Sequence, residues 1–163
     1  MALTKVIGSG IGTVTNQFAD ANMSAGSVLQ VVQGTYSTRI AITTTTYTFT
    51  GLTATITPRL ATSKILVQIE QQGCHVASGN TSDMNMRLQR NSSDIYNFAL
   101  AYFYGDSPQH RAGISGCYLD SPSTTSATVY RTVFAVNGGG GTSTVQNDNA
   151  NTVSTITLME IAG

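Results

Sequence analysis

From Ser27 onward, apolar and polar positions alternate with a period of two, the pattern of strands with one buried face. Lys64–Gln71 places Ile65, Val67 and Ile69 on a single face, and Met84–Arg90 places Met84, Met86 and Leu88 inward, with Arg87 and Arg90 outside that stripe. Val28–Gln33 is apolar and β-branched and ends at Gly34; a Thr-rich strand region follows from Thr38 to Phe49. Gly51–Pro58 reads as a turn, a short strand and a stop. In Ala127–Val136, Tyr130 and Phe134 fall on one side and Val129 and Val133 on the other, which predicts burial of both faces. Val153–Ile161 closes the chain as a last strand. Eight or nine short strands result, joined by loops at Gly73–Ser82, Tyr104–Gly113, Leu119–Ser126 and Asn137–Asn151, and no stretch carries a helical period. The expected class is all-β, an antiparallel β-sandwich. A strand at the very C-terminus suits a jelly roll, whose first and last strands pair centrally.

Residues 1–26 have another character. They are small, polar and aperiodic, with scattered apolar anchors at Val6, Ile7, Ile11, Val14, Phe18 and Met23. Such a segment cannot bury enough surface to fold alone, so it is expected to be an extended N-terminal arm that is either disordered or ordered by a partner. The division is therefore an arm, 1–26, and a sandwich domain, 27–163.

Composition turns this fold towards assembly. Only 10% of the residues are charged, and the formal net charge is zero. About a quarter is usual for a soluble domain. Thr, Ser, Asn and Gln carry the polarity instead, as in Ile42–Thr50. Thr fits a pleated, half-buried surface, but a chain this poor in charge lacks what keeps free monomers apart. No cluster of Lys and Arg offers phosphate neutralisation or membrane attraction, so neither nucleic acid nor membrane is an expected partner. The N-terminus shows no secretory apolar region, and no run is long enough to span a bilayer. Two cysteines, Cys74 and Cys117, are too few for a disulfide framework; they are expected as small buried hydrophobes, with a single disulfide or an intermolecular bridge as the alternatives.

Catalytic patterns are lacking. His75 and His110 fall in predicted loops, and Gly113-Ile114-Ser115-Gly116 is one residue short of a nucleophile elbow. Cys74 and His75 are adjacent, so a strand would point them to opposite faces. No cysteine or histidine spacing suits a metal, and Asn147–Asn151 has no bidentate Glu after it. The glycines of 8–12 and 138–141 carry no nucleotide fingerprint. No enzyme activity, cofactor or metal is expected. Tyr96, Phe98, Tyr102, Phe103 and Tyr104 crowd into nine residues beside Asp106 and His110. Subunit interface, core packing and a saccharide-stacking groove are all open to that cluster.

Four phrases in order resemble a recurrent module of tailed-bacteriophage virion proteins of the marine and cyanophage type: Gly26–Gln33; Leu52–Pro58 with Ser63–Val67; Leu119–Tyr130; and Ser154–Ile161. They run across almost the whole of residues 26–163. The resemblance implies a homotrimeric jelly roll similar to the tumour-necrosis-factor and C1q heads, located on the virion, and it carries no catalytic residues. No internal repeat forms a fibre shaft, and the short arm suits a cement or decoration protein gripping the major capsid protein on the outside of a capsid. The alternative within the resemblance is a receptor-binding module at a tail or fibre tip that recognises host surface glycans.

Overall fold

The computed structural model describes residues 23–77, 83–102, 109–138, 141–147 and 151–163. Among these residues the chain forms ten strands and no helix: β1 (Val28–Tyr36), β2 (Ile40–Ile42), β3 (Thr48–Ile56), β4 (Lys64–Ala77), β5 (Asp83–Arg90), β6 (Ser93–Tyr102), β7 (Gln109–Asp120), β8 (Thr128–Asn137), β9 (Ser143–Val145) and β10 (Ser154–Ile161). Every pairing is antiparallel. One sheet has six strands, in the order β1-β10-β4-β9-β2, with β7 on the other edge of β4. The second has four, in the order β3-β8-β5-β6. The long β4 organises the first sheet: Lys64–Glu70 pairs with β10, His75 and Val76 pair with β9, and β7 follows the opposite edge from Ile65 to Ala77.

The alternation read from the sequence becomes the core between the two sheets. Ile65, Val67 and Ile69 of β4 and Ile156 and Leu158 of β10 meet Leu52, Ala54 and Ile56 of β3, Leu88 of β5 and Tyr130 of β8. A second cluster joins Cys74, Val76, Ile114 and Val145 to Met84, Met86, Ala99 and Phe134. Burying each large side chain contributes about 1.5–3 kcal/mol. Both faces of β8 are covered as expected, with Tyr130, Val133 and Phe134 all buried and Val129 half-buried.

Between the two clusters runs a layer of uncharged polar side chains. Gln71 is fully buried; its Nε2 donates to Ser154 Oγ at 3.0 Å and its Oε1 accepts from Thr132 Oγ1 at 2.9 Å. The Thr50 hydroxyl bonds to Thr132, and Gln146 Nε2 donates to Ser154 Oγ at 2.9 Å. Because each bond needs its two strands in one relative position, a slip of one residue would strand buried amides and hydroxyls.

Several strands extend beyond their sequence limits. β1 does not end at Gly34, because the missing side chain there lets β1 lie against β3; a Cβ would stand 1.9 Å from the Thr53 carbonyl oxygen. Gly51 is not a turn between strands but a bulge inside β3, where the register shifts between Phe49 and Thr53. Its φ of +85° suits glycine, and the Tyr36 ring occupies the space a side chain would need. The Thr-rich region breaks into β2 and the start of β3, with 43–47 as a connection, since consecutive threonines carry no alternation to pin a register. β4 passes through Gly73 with a bulge, so that His75 lies on a strand rather than in a loop. β7 likewise absorbs His110 and Gly113, and Ser143–Val145 of the expected last loop forms β9.

Candidate assembly face

The outward face of the six-stranded sheet carries few charges around β1, β10 and β4. Strand register aligns its residues in rows across β1, β10, β4 and β7. One row reads Val31–Met159–Leu66–Leu119. The next reads Gln33–Thr157–Gln68–Cys117, and a third Thr35–Thr155–Glu70–Ser115. On the other side of the apolar row, Val28, Ile161 and Lys64 align. Val31 is 58% exposed and Leu119 49%, while Leu66 and Met159 between them are half-buried. Four aligned apolar side chains across one sheet form a connected strip rather than scattered surface residues. Lys64 and Glu70 are the only charges in these rows, so the rows are neutral; Arg111, exposed farther along β7 in the same phase, adds a positive charge at the far end of the face. Gln68, Glu70, Ser115, Gly116, Cys117, Thr155 and Thr157 line a shallow depression of about 390 Å³ beside the strip.

The opposite outward face, on the four-stranded sheet, is polar and internally paired. The Arg87 guanidinium lies 3.8 Å from the centre of the Tyr47 ring and donates to Asp94 at 2.6 Å. Gln89 donates to the same carboxylate at 2.8 Å and accepts from Arg131 Nε at 2.9 Å. The hydrogen bond from Gln89 outweighs slight burial and, with Arg87, holds the Asp94 carboxyl below its usual range. Each charge on this ladder already has a partner.

Two carboxylates tie the sandwich together. Asp120, at the end of β7, accepts two bonds of 2.9 Å from Arg90 of β5 and one of 2.6 Å from the Tyr130 hydroxyl of β8, so it links the two sheets. Burial, and then the Asp120 charge, push the Tyr130 hydroxyl far above the ordinary tyrosine range. Glu160, fully buried on β10, accepts from Gln30 and from the backbone N–H groups of Arg59 at 2.7 Å and Leu60 at 3.2 Å, which pins the β3–β4 connection. Burial raises the Glu160 carboxyl, but these donors together with Ser63 outweigh it and leave it below the usual range.

Among the aromatic candidates, Tyr96 and Phe98 are half-buried against the core. Tyr96 stacks on Tyr118 with ring centres 5.1 Å apart, and Phe98 lies over Gly116. They close the gap between the sheet edges formed by β6 and β7, which is the core-packing option. The backbone of Tyr102 ends β6 opposite Met84, while Phe103 and Tyr104 lie outside the described residues. Of the arm anchors, Met23 is exposed, and Val6, Ile7, Ile11, Val14 and Phe18 lie outside the described residues. Gly26 and Ser27 lie beside Ala162, where Gly26 N–H donates to Ala162 C=O and Ala162 N–H to Ser27 C=O, both at 2.8 Å.

Neither cysteine forms a disulfide. Cys74 is the buried hydrophobe expected, its thiol pushed up to about 12 by burial against a weaker lowering by a backbone hydrogen bond at Ile114. Cys117 is not; it is exposed on the candidate face, because β7 alternates and Tyr118 takes the inward position. No group of three His, Cys, Asp or Glu that could hold a metal occurs among the described residues. None of their helices is long and apolar enough to cross a membrane, for they form no helix.

Single members of the strip are visible in the sequence as out-of-phase apolar residues, although their alignment is not. Leu66 and Met159 sit at polar-parity positions inside apolar runs, and Val31 stands next to inward-facing Val32. An apolar residue out of phase in a strand marks a second face that wants cover. No protein-family model matches this chain, and no curated protein sequence matches it.

Proposed function

We propose that this chain is a non-enzymatic virion structural subunit, a jelly roll that assembles as a homotrimer and cements the outer surface of a capsid. The observation that carries the reading is the Val31–Met159–Leu66–Leu119 strip on the outward sheet face, on a chain with too little charge to stay apart from its copies. The strand order supports the jelly-roll description: β1-β10-β4-β7 faces β3-β8-β5-β6, and the first and last strands pair, although at the edge of the sheet, where β1 is the outermost strand, rather than centrally as expected. The division of labour is between a rigid head that binds its copies and an arm that grips the major capsid protein through Val6, Ile7, Ile11, Val14, Phe18 and Met23. Three arms on one head would raise affinity over a single grip by about 10²–10⁴. Cement of this kind needs geometry and multivalency, with no chemistry. The glycan-recognition alternative loses Tyr96 and Phe98 to packing and rests on Tyr102, Phe103 and Tyr104 alone.

The test is decoration of capsids that lack this protein. Full-length protein is expected to bind them as a trimer by light scattering, and a chain lacking residues 1–24 to remain a folded trimer that no longer binds. Unchanged capsid binding without the arm would overturn the anchoring role. A full-length trimer that ignores capsids would overturn cement.

A further inference from the structure

We infer that Asn137-Gly138, where β8 ends, is a site of spontaneous covalent modification: Asn137 converts through a cyclic imide to Asp and isoaspartate, and the carboxylate formed beside Asp83 loosens the β5–β8 end of the sandwich. The reaction needs only water. The Gly138 backbone nitrogen, its proton lost to solvent base, attacks the Asn137 side-chain carbonyl carbon. An N–Cγ bond forms, the Cγ–Nδ2 bond breaks, and Nδ2 leaves as ammonia. Water then opens the five-membered imide at either carbonyl. Breaking the new bond gives Asp; breaking the original peptide bond gives isoaspartate. The net change takes an amide and a water to a carboxylate and an ammonium ion, with no oxidation.

Sequence, backbone and side chain all single out this position. Asn137-Gly138 is the one Asn-Gly step in the chain, and glycine gives the attacking nitrogen the least shielding and the most torsional freedom. Both residues are exposed. Gly138 has a φ of +80°, with nothing within 4 Å of where a Cβ would stand. Its N–H makes no hydrogen bond among the described residues. The Asn137 amide is barely restrained, because Nδ2 reaches Asp83 Oδ2 only at 3.5 Å, long for a hydrogen bond. Other asparagine amides are held: Asn85 Oδ1 accepts from Ala101 N–H at 2.8 Å, Asn91 Oδ1 from Val129 N–H at 2.9 Å, and Asn147 Oδ1 from Arg39 Nε at 3.1 Å. In Asn97-Phe98 a bulky residue follows inside a paired strand.

Asp83 supplies the consequence. It stands directly opposite Asn137 across the β5–β8 pair, is 5% exposed, and its Oδ1 has no hydrogen-bond partner among the described residues. A carboxylate at position 137 sets like charges opposite one another, one of them buried, which destabilises a strand pair. Isoaspartate also adds a methylene to the main chain where the pairing ends. Asn137 lies seven residues along β8 from Tyr130, about 23 Å, so the change leaves the Asp120 tie alone and does not depend on how the head assembles.

The experiment incubates the folded full-length protein at neutral and at mildly alkaline pH, then maps its peptides by mass spectrometry, with isoaspartate detected by methyltransferase labelling. Conversion is expected to be faster at Asn137 than at every other asparagine, to speed up with pH, and to be lost in Asn137→Gln, whose longer side chain would need a six-membered ring. Conversion at Asn137 no faster than elsewhere overturns the site. Asn137→Asp is expected to unfold at a lower denaturant concentration than the wild type, and Asp83→Asn to cancel most of that difference in the double variant. Failure of Asn137→Asp to fold, rescued by Asp83→Asn, supports the same coupling. A wild-type midpoint in Asn137→Asp, or no rescue, overturns it.

Discussion

Replacing Tyr130 by Phe removes a single oxygen from the centre of the sandwich. The hydroxyl donates at 2.6 Å to the buried Asp120 carboxylate, which Arg90 holds on its other side. Phe keeps the ring volume and leaves little cavity, so the cost is that of one hydrogen bond to a charged acceptor, about 1.5–3 kcal/mol. For a domain of this length the entropy of unfolding is on the order of 0.3 kcal/mol/K, which translates the loss into a Tm drop of about 5–10 °C. Chemical denaturation at fixed protomer concentration separates this from any change in self-association. A double-mutant cycle with Asp120→Asn assigns the coupling to the pair. A loss below about 0.5 kcal/mol, the range of ordinary surface changes, would refute the claim that Asp120 is a desolvated tie between the sheets.

Other substitutions test neighbouring parts of the argument. Leu158→Ala, at a fully buried core position, is expected to cost about 3–5 kcal/mol in denaturant unfolding. Gly34→Ala drives a methyl into the Thr53 carbonyl and is expected to cost about 1–3 kcal/mol or more and to speed amide exchange in β1. Acid stability follows Glu160. Its folded carboxyl titrates below the ordinary 4.5, so near that pH the unfolded chain binds more protons, and stability falls as pH drops from about 4.5 through the lower folded value. In Glu160→Gln that acid slope should flatten when unfolding is followed from pH 6 to pH 3; an unchanged slope would refute it.

Strand placement was largely legible because β4, β5 and β10 each set an apolar stripe against polar neighbours, and a period of two leaves one way to bury it. Their pairing partners were not legible, since β1 and β10 meet across more than a hundred residues and nothing local encodes that contact. Glycine misled twice. At Gly34 and Gly51 it marks close approach of another strand and a bulge, and both depend on neighbours far along the chain. The aromatic cluster could not be assigned from residue type because Tyr and Phe serve cores and interfaces equally, and only the β6–β7 gap decides for Tyr96 and Phe98. The strip was hidden for the opposite reason, because its four members lie on four strands and only register brings them into line.

That β1 pairs with β10 also sets an order of events during synthesis. Closing a loop of this length comes late in folding, since its entropy cost must be met before the pairing returns anything, and topologies rich in distant contacts fold in milliseconds to seconds. Until Ser154–Ile161 has left the ribosome, β1 has no partner in the sheet and Val31 has no Met159 beside it. Premature chains therefore carry β4 and β7 but not the finished row, and the root of the arm is fixed only when Gly26 and Ser27 bond to Ala162. On the proposed assembly, synthesis of β10 is therefore a timer on association: a subunit without it has neither the finished row nor the bonds that fix Gly26 and Ser27.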